Sequence, residues 1–423
     1  MTVHVLSTLP GVTPGDSTGG STNAATLNAY IAANVAPGDV IDHNCPISPN
    51  GTIVVQDKLG VAWRGAGAMG SRISPNGNFD GIQWNSNESC VLSDVGITPK
   101  VTQTAGVGLV VDEYANSRVG LDNKFVRVNV FDRTRQQSRW SLGTGAPYKG
   151  VVVKGSGGGY KTRFMSCQVN GARSNGWEFG VYNQSSRGPV GVVLQGCESA
   201  VCQGDGFAIY AAEALEFNDG TEALQNHGRG IILYPDNGGF VELFMNSVLC
   251  DTNWGHGLEV NAGGSGVGGK LKVVLALDSW FSNNGNPDAD PNQGTTWNTA
   301  SCGVKFNQSP EEVVFNRNRM AVNAESGGWI AAARTLQCNG NEARNNGQAG
   351  NGNGLLLNYC PTSNQFNDNL ADGQVYSGYP AKQNYGLGTT GGVAANATGN
   401  VSKNPNSAGA YFWHTTPNAA NNQ

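Results

Sequence analysis

The stretch Ser174–Tyr182, SNGWEFGVY, returns along the chain in altered form: GDGFAIY from Gly204, GRGIILY from Gly228 and GHGLEVN from Gly255. The shared element is a glycine, an apolar residue, a free position and a second apolar residue. Trp177 and Phe179 flank Glu178, Phe207 and Ile209 flank Ala208, Ile231 and Leu233 flank Ile232, Leu258 and Val260 flank Glu259, and Val304 and Phe306 flank Lys305. Period-two alternation of this kind marks a half-buried β-strand. Taking the preceding glycine as marker gives Gly81, Gly106, Gly150, Gly176, Gly206, Gly230, Gly257, Gly303, Gly328, Gly354 and Gly386, mostly at intervals of roughly 24–32 residues. Two longer intervals predict insertions over 131–149 and 283–300.

Upstream of each marker lies a second apolar segment, such as KTRFMSCQV, EALEFND, FVELFMNS or EEVVFNRN. No unit has room for the helix of a βαβ crossover. A unit of this size cannot bury its own apolar face, and stacking units buries a continuous core. The expectation is an all-β protein, a right-handed parallel β-helix of about eleven coils stepping ~4.8 Å each, a rod on the order of 50 Å. Propeller blades need four antiparallel strands in about 40 residues, more than these units hold. Cys167, Cys197, Thr221 and Val248 occupy one slot nine residues before their markers, as a stack of small inward-facing residues would. The segment from Thr22, TNAATLNAYIAANVAPGD, has an N-cap at Thr22 or Asn23 and apolar Leu27, Tyr30 and Ile31, the pattern of a short helix able to cap the open end of the coil. The predicted organisation is an N-terminal arm over 1–21, a β-helix over 22–385, and a terminal coil with a cap over 386–423.

Composition narrows the function. Of 423 residues, 61 are Gly, about twice the usual share, and only 13% are charged, with a net charge of −5. No basic tract suits nucleic acid, and no apolar run reaches the ~18 residues of a membrane span. The first residues, MTVHVLSTLPGVTPG, show no charged and apolar signal pattern, so synthesis in the cytoplasm without a signal peptide is expected. Nine cysteines, with no CxxC pair, read as small core fillers rather than disulfide or zinc ligands. No cofactor or metal is expected.

The N-terminal helix, PGDVI, WRGAG and the stacked coils resemble the pectate-lyase-like β-helix superfamily, with closest likeness to its phage tailspike and depolymerase branch. The resemblance runs from about Thr22 onward and carries no catalytic motif residue by residue. It implies a virion-associated spike, commonly a homotrimer, that binds bacterial surface polysaccharide and cleaves it as a hydrolase or lyase, found on the virion or outside the cell after lysis. Other virion proteins would then be met through the N-terminal arm. The alternative is a non-catalytic decoration or receptor-binding fibre with the same coils.

Glycoside hydrolysis needs two carboxylates, about 5–5.5 Å apart for retention or about 6.5–9.5 Å for inversion. In so charge-poor a chain EALEFNDGTE stands out, and counting from the markers sets Glu216 diagonal to Glu242 on adjacent coils. Glu216, Asp219 and Glu242 are the catalytic candidates; the plain alternative is that they keep the surface soluble. The residues before consecutive markers, Asp205, Arg229 and His256, would stack, with Arg229 gripping an acidic sugar and His256 acting as base, or simply form a polar ladder with an Asp205–Arg229 ion pair. Trp254 and the outward Glu259 join this substrate-binding set. Glu178 and Glu259 read as outward face residues of one column, solvated or touching different sugars. In the first insertion Arg139 and Trp140 suit sugar stacking or a subunit interface. Asp288 and Asp290 in the second resemble a calcium loop only loosely.

Overall fold

In the computed structural model, the described residues are all but 16–20, 116–118, 133–141, 143–144, 156–160, 183–187, 236–238, 262–269, 288–295, 351, 359–362, 375–382, 391–395, 404–411 and 414–423. The chain forms two compact units, Met1–Glu216 and Phe217–Gln423, and the division falls inside the strand Ala212–Asn218. Both units are parallel β-helices whose short strands fall into three sheets, visited in turn on every coil.

In the N-terminal unit the third sheet contains Ile53–Gln56, Ile82–Asn85, Val107–Asp112, Lys149–Lys154, Trp177–Phe179 and Phe207–Ile209. Each pairs in parallel with the next, so Gln83, Val110, Val152, Glu178 and Ala208 form one outward column. Inward residues build a spine of rings: Phe125 stacks on Phe164 at 4.7 Å, and Phe164 meets Trp177 edge-on at 5.1 Å. The helix Ala24–Asn34 forms as expected, with the Asn23 side chain accepting from the Thr26 N–H and with Leu27 and Ile31 buried. Ahead of it, Val3–Val5 pairs in parallel with Val40–Asp42. His4 binds Asp39 and Tyr30 at 3.1 Å each, which ties this edge strand down.

In the C-terminal unit the third sheet runs through Ile231–Leu233, Leu258–Val260, Val304–Phe306, Gly328–Ala331, Gly352–Asn358, Gln383–Thr390 and Phe412–Trp413. Two ladders of buried amides run along its turns. One comprises Asn226, Asn253, Asn284, Asn323, Asn346 and Gln383; the other comprises Asn318, Asn341, Asn369 and Asn400. Asn253, Asn284, Asn323 and Asn346 in the first ladder, and Asn318, Asn341 and Asn369 in the second, each donate to the next amide oxygen and to a backbone carbonyl, and most also accept a backbone N–H, so turn groups lost to water are satisfied by a repeated side chain.

The marker glycines face a common constraint. A Cβ on Gly81 would meet the Gly108 carbonyl at 2.5 Å, one on Gly150 the Gly176 carbonyl at 2.4 Å, one on Gly257 the Gly303 carbonyl at 2.6 Å, and one on Gly303 the Gly327 carbonyl at 2.6 Å. Close approach of successive coils therefore requires glycine there. Two marker positions differ from the sequence reading. Gly108, not Gly106, pairs with Gly150; Gly106 is a turn glycine with φ +99°. Gly327, not Gly328, stacks on Gly303, because adjacent glycines left the register ambiguous. Rungs at Ile53–Gln56 and Phe412–Trp413 extend beyond the glycine run, so the marker count omits both. The eight described cysteines are buried and none is in a disulfide, and Cys167, Cys197, Thr221 and Val248 are all inward, as the core-filler reading expects.

Candidate functional site

The third sheet of the C-terminal unit carries a row of polar side chains placed by strand alternation. Leu258 and Val260 point into the core, which turns Glu259 outward, and parallel register stacks Ile232, Glu259, Lys305 and Trp329 on successive coils. Glu259 is nevertheless only 5% exposed. Its Oε2 accepts from Arg229 Nε at 2.7 Å, and its Oε1 accepts from Asn307 Nδ2 at 2.8 Å and Asn261 Nδ2 at 3.4 Å. A buried carboxylate needs partners of this kind, and here both oxygens are engaged. The reading of Glu178 and Glu259 as solvated face residues is thereby corrected: both are buried and ion-paired.

Arg229 reaches Glu259 across a neighbouring backbone that leaves it room, since a Cβ on Gly255 would lie 3.1 Å from Arg229 Cγ. Its side chain keeps 38% of its surface exposed. Lys305 Nζ sits 3.7 Å from the Trp329 ring centroid, a cation–π contact, and makes no salt bridge among the described residues. Glu259 thus pairs with Arg229, and Lys305 is a cation with no carboxylate partner among the described residues.

His256 lies in the turn before Leu258–Val260. Its Nδ1 accepts the Cys302 backbone N–H at 2.9 Å, so the neutral ring carries its proton on Nε2. Loss of hydration lowers its pKa to about 4, with the Lys305 and Arg229 charges adding to the shift and Glu259 opposing it. At neutral pH His256 is an uncharged donor. Trp254, in the same turn, is half-buried, and its carbonyl accepts from Asn298 Nδ2 and Ser301 Oγ, both at 2.9 Å.

The other expected site residues lie elsewhere. Glu216 is half-buried and closes the N-terminal unit, its N–H bonded to the Val192 carbonyl. Asp219 is an exposed turn residue of the C-terminal unit with φ 50°. Glu242, in the same unit, is half-buried at an irregularity where the pairing shifts between Val241 and Glu242. Asp205 is 9% exposed in the N-terminal unit, where its N–H donates to Asn175 Oδ1. Arg139, Trp140, Asp288 and Asp290 lie outside the described residues. Among the described residues, no group of three or more His, Cys, Asp or Glu converges as a metal site.

Sequence reasoning missed Trp329, Asn261 and Asn307 as site residues and left Lys305 as a free strand position. The cause for Trp329 is the one-residue marker error: counted from Gly328 it falls on the core-facing parity, and counted from Gly327 it falls on the outward column beside Lys305.

No family model and no curated protein matches this chain. Solved structures do. The A-module of the Azotobacter vinelandii mannuronan C-5 epimerase AlgE6 is 13% identical, with a TM-score of 0.56 over 99% of this chain and 98% of that one. A GH87 α-1,3-glucanase catalytic unit from Streptomyces thermodiastaticus is 14% identical, with a TM-score of 0.55 over 98% of this chain and 70% of that one. Pre-mature gene product 12 of bacteriophage phi29 is 11% identical, with a TM-score of 0.55 over 98% of this chain and 55% of that one. The shared feature is the right-handed parallel β-helix.

Proposed function

We propose that this chain is a tailspike-type β-helix that binds a bacterial surface polysaccharide along the third sheet of its C-terminal unit and cleaves it. The observation that carries the reading is the row of Glu259, Lys305 and Trp329 on consecutive coils, flanked by Arg229 and the exposed Asn307. Steps of ~4.8 Å between coils approximate the length of a sugar residue, so a linear polymer lying along the sheet meets a new side chain at each unit. Lys305, steadied by the Trp329 ring, and Arg229, steadied by Glu259, offer N–H donors of positive charge to acidic groups of the polymer. His256 adds a neutral donor through Nε2. Glu216, Asp219 and Glu242, on the first sheet and its following turn rather than in this row, are separate candidates for bond cleavage. A homotrimer attached to a virion through residues 1–21, and released with it on lysis, belongs to the same proposal.

One observation favours a second reading, a fibre that binds without chemistry. Both oxygens of Glu259 are already hydrogen-bonded, which suits grip better than proton transfer. Incubation with capsular polysaccharide and lipopolysaccharide from candidate hosts separates the readings. New reducing ends alone indicate a hydrolase, and reducing ends with the ultraviolet absorbance of an unsaturated uronate indicate a lyase. Binding with neither product indicates the fibre, and absence of binding to every glycan removes the proposal.

A further inference from the structure

We infer that the N-terminal unit carries a separate carbohydrate subsite, for an uncharged sugar ring, at Tyr182, Tyr210, Asn175, Glu178 and Lys149. Sugar recognition needs an aromatic face and a few polar groups held in fixed positions. Tyr182 follows the strand Trp177–Phe179 and is 55% exposed beside the exposed Val181. It meets Tyr210, one coil on, edge to face with centroids 5.5 Å apart. That contact fixes an exposed ring at little entropic cost.

The polar part lies at the other edge of Tyr210. Its hydroxyl oxygen accepts from Asn175 Nδ2 at 3.3 Å, and the same amide donates to Glu178 Oε1 at 3.0 Å. Lys149 Nζ donates to Glu178 Oε2 at 2.9 Å. Since the amide of Asn175 supplies the proton in its contact, the Tyr210 hydroxyl retains its own, and no acceptor holds it among the described residues. Burial, with the charges of Glu178 and Asp205, pushes the Tyr210 pKa well above the phenol range, so the group remains a donor. Lys149 keeps 30% of its side-chain surface exposed and two further N–H donors. Lys149, set against the carboxylates of Glu178 and Asp205, leaves no surplus positive charge here. This separates the cluster from the C-terminal row, where Lys305 is a surplus charge, and points to hydroxyl groups of a neutral ring rather than to a carboxylate or phosphate.

The test uses the full chain labelled with 3-fluorotyrosine, the signals of Tyr182 and Tyr210 being assigned with Tyr182→Phe and Tyr210→Phe. Maltose, cellobiose and lactose are the neutral probes, and digalacturonate is the charged one. The expected result is that at least one neutral disaccharide shifts both signals. Tyr182→Ala should weaken that binding about tenfold, the order of one lost stacked ring, with unchanged thermal unfolding. Lys305→Ala should leave it unaltered. If no neutral disaccharide moves either signal, or if only digalacturonate does, the inference falls. The proposed function fails by a different readout: bacterial polysaccharide binding that is absent or indifferent to Lys305→Ala.

Discussion

Glu113 gives the N-terminal unit an alkaline weakness that a single substitution should remove. It continues the inward parity of Leu109 and Val111, is 1% exposed, and neither carboxyl oxygen has a hydrogen-bond partner among the described residues. Burial raises its pKa from 4.5 to about 8, and the Asp112 charge adds to it. Above pH 4.5 the unfolded chain loses this proton and the folded chain keeps it. The folded state therefore binds more protons, and stability falls with rising pH until about 8. At ~1.4 kcal/mol per pKa unit, the loss between pH 4.5 and pH 7 is about 3 kcal/mol, a large share of ordinary stability. Glu113→Gln keeps the shape and abolishes the titration. Urea unfolding followed by circular dichroism from pH 4.5 to 8.5 should show the wild type weakening relative to Glu113→Gln by about 3 kcal/mol at pH 7 and about 4 kcal/mol at pH 8.5. The acid limb should be common to both proteins. His43 and His256 have folded pKa values of about 3 and about 4, below the ordinary 6.5, so each withdraws stability as pH falls below 6.5 whatever residue occupies 113. Parallel stability curves across pH 5–8 would refute the claim that Glu113 is protonated in the folded protein.

Gly303→Ala places a Cβ 2.6 Å from the Gly327 carbonyl and 2.7 Å from Asn323 Nδ2, and should lower stability by about 1–3 kcal/mol. Gly70→Ala, whose nearest atom lies at 3.5 Å, should stay within about 0.5 kcal/mol in the same melts. Asn323→Ala removes the acceptor of Asn284 and the donor to Asn346 and to the Phe281 carbonyl, and should cost about 3 kcal/mol, because buried partners are left unsatisfied. Lys305→Ala should weaken binding of an acidic capsule and flatten its salt dependence, with unfolding unchanged; equal salt slopes would remove Lys305 from the contact. Glu216→Gln and Glu242→Gln should each abolish release of reducing ends without altering thermal unfolding, and full activity in both would remove these carboxylates from the chemistry.

The fold was legible because its constraint is local and repeated. Wherever one coil passes close to the next, glycine is required, and two residues on the strand must face inward again, so the same few letters recur. The cap helix was equally plain from Asn23, Leu27 and Ile31. The amide ladders were less so. Asparagine is common in turns, and only the register shows that Asn284, Asn323 and Asn346 share one column while Asn318, Asn341 and Asn369 share another.

The side-chain cluster was legible only in part, for a reason built into parallel stacking. Neighbours on the face are a full coil apart: Arg229 and Glu259 are separated by 30 positions, Asn307 and Glu259 by 48. No short motif can encode such a cluster, and an insertion changes the separation without changing the contact. Sequence reading singled out Arg229, His256 and Glu259 because each is a rare charged or titratable letter at a marked offset. It missed Trp329 because a one-residue error in a parallel register inverts inside and outside. A side chain that should steady Lys305 was thereby assigned to the core-facing parity. Any further site on this chain is subject to the same rule. Candidates must be read down columns fixed by the glycine stack, because a residue's partners lie in the coils above and below it rather than beside it in the sequence.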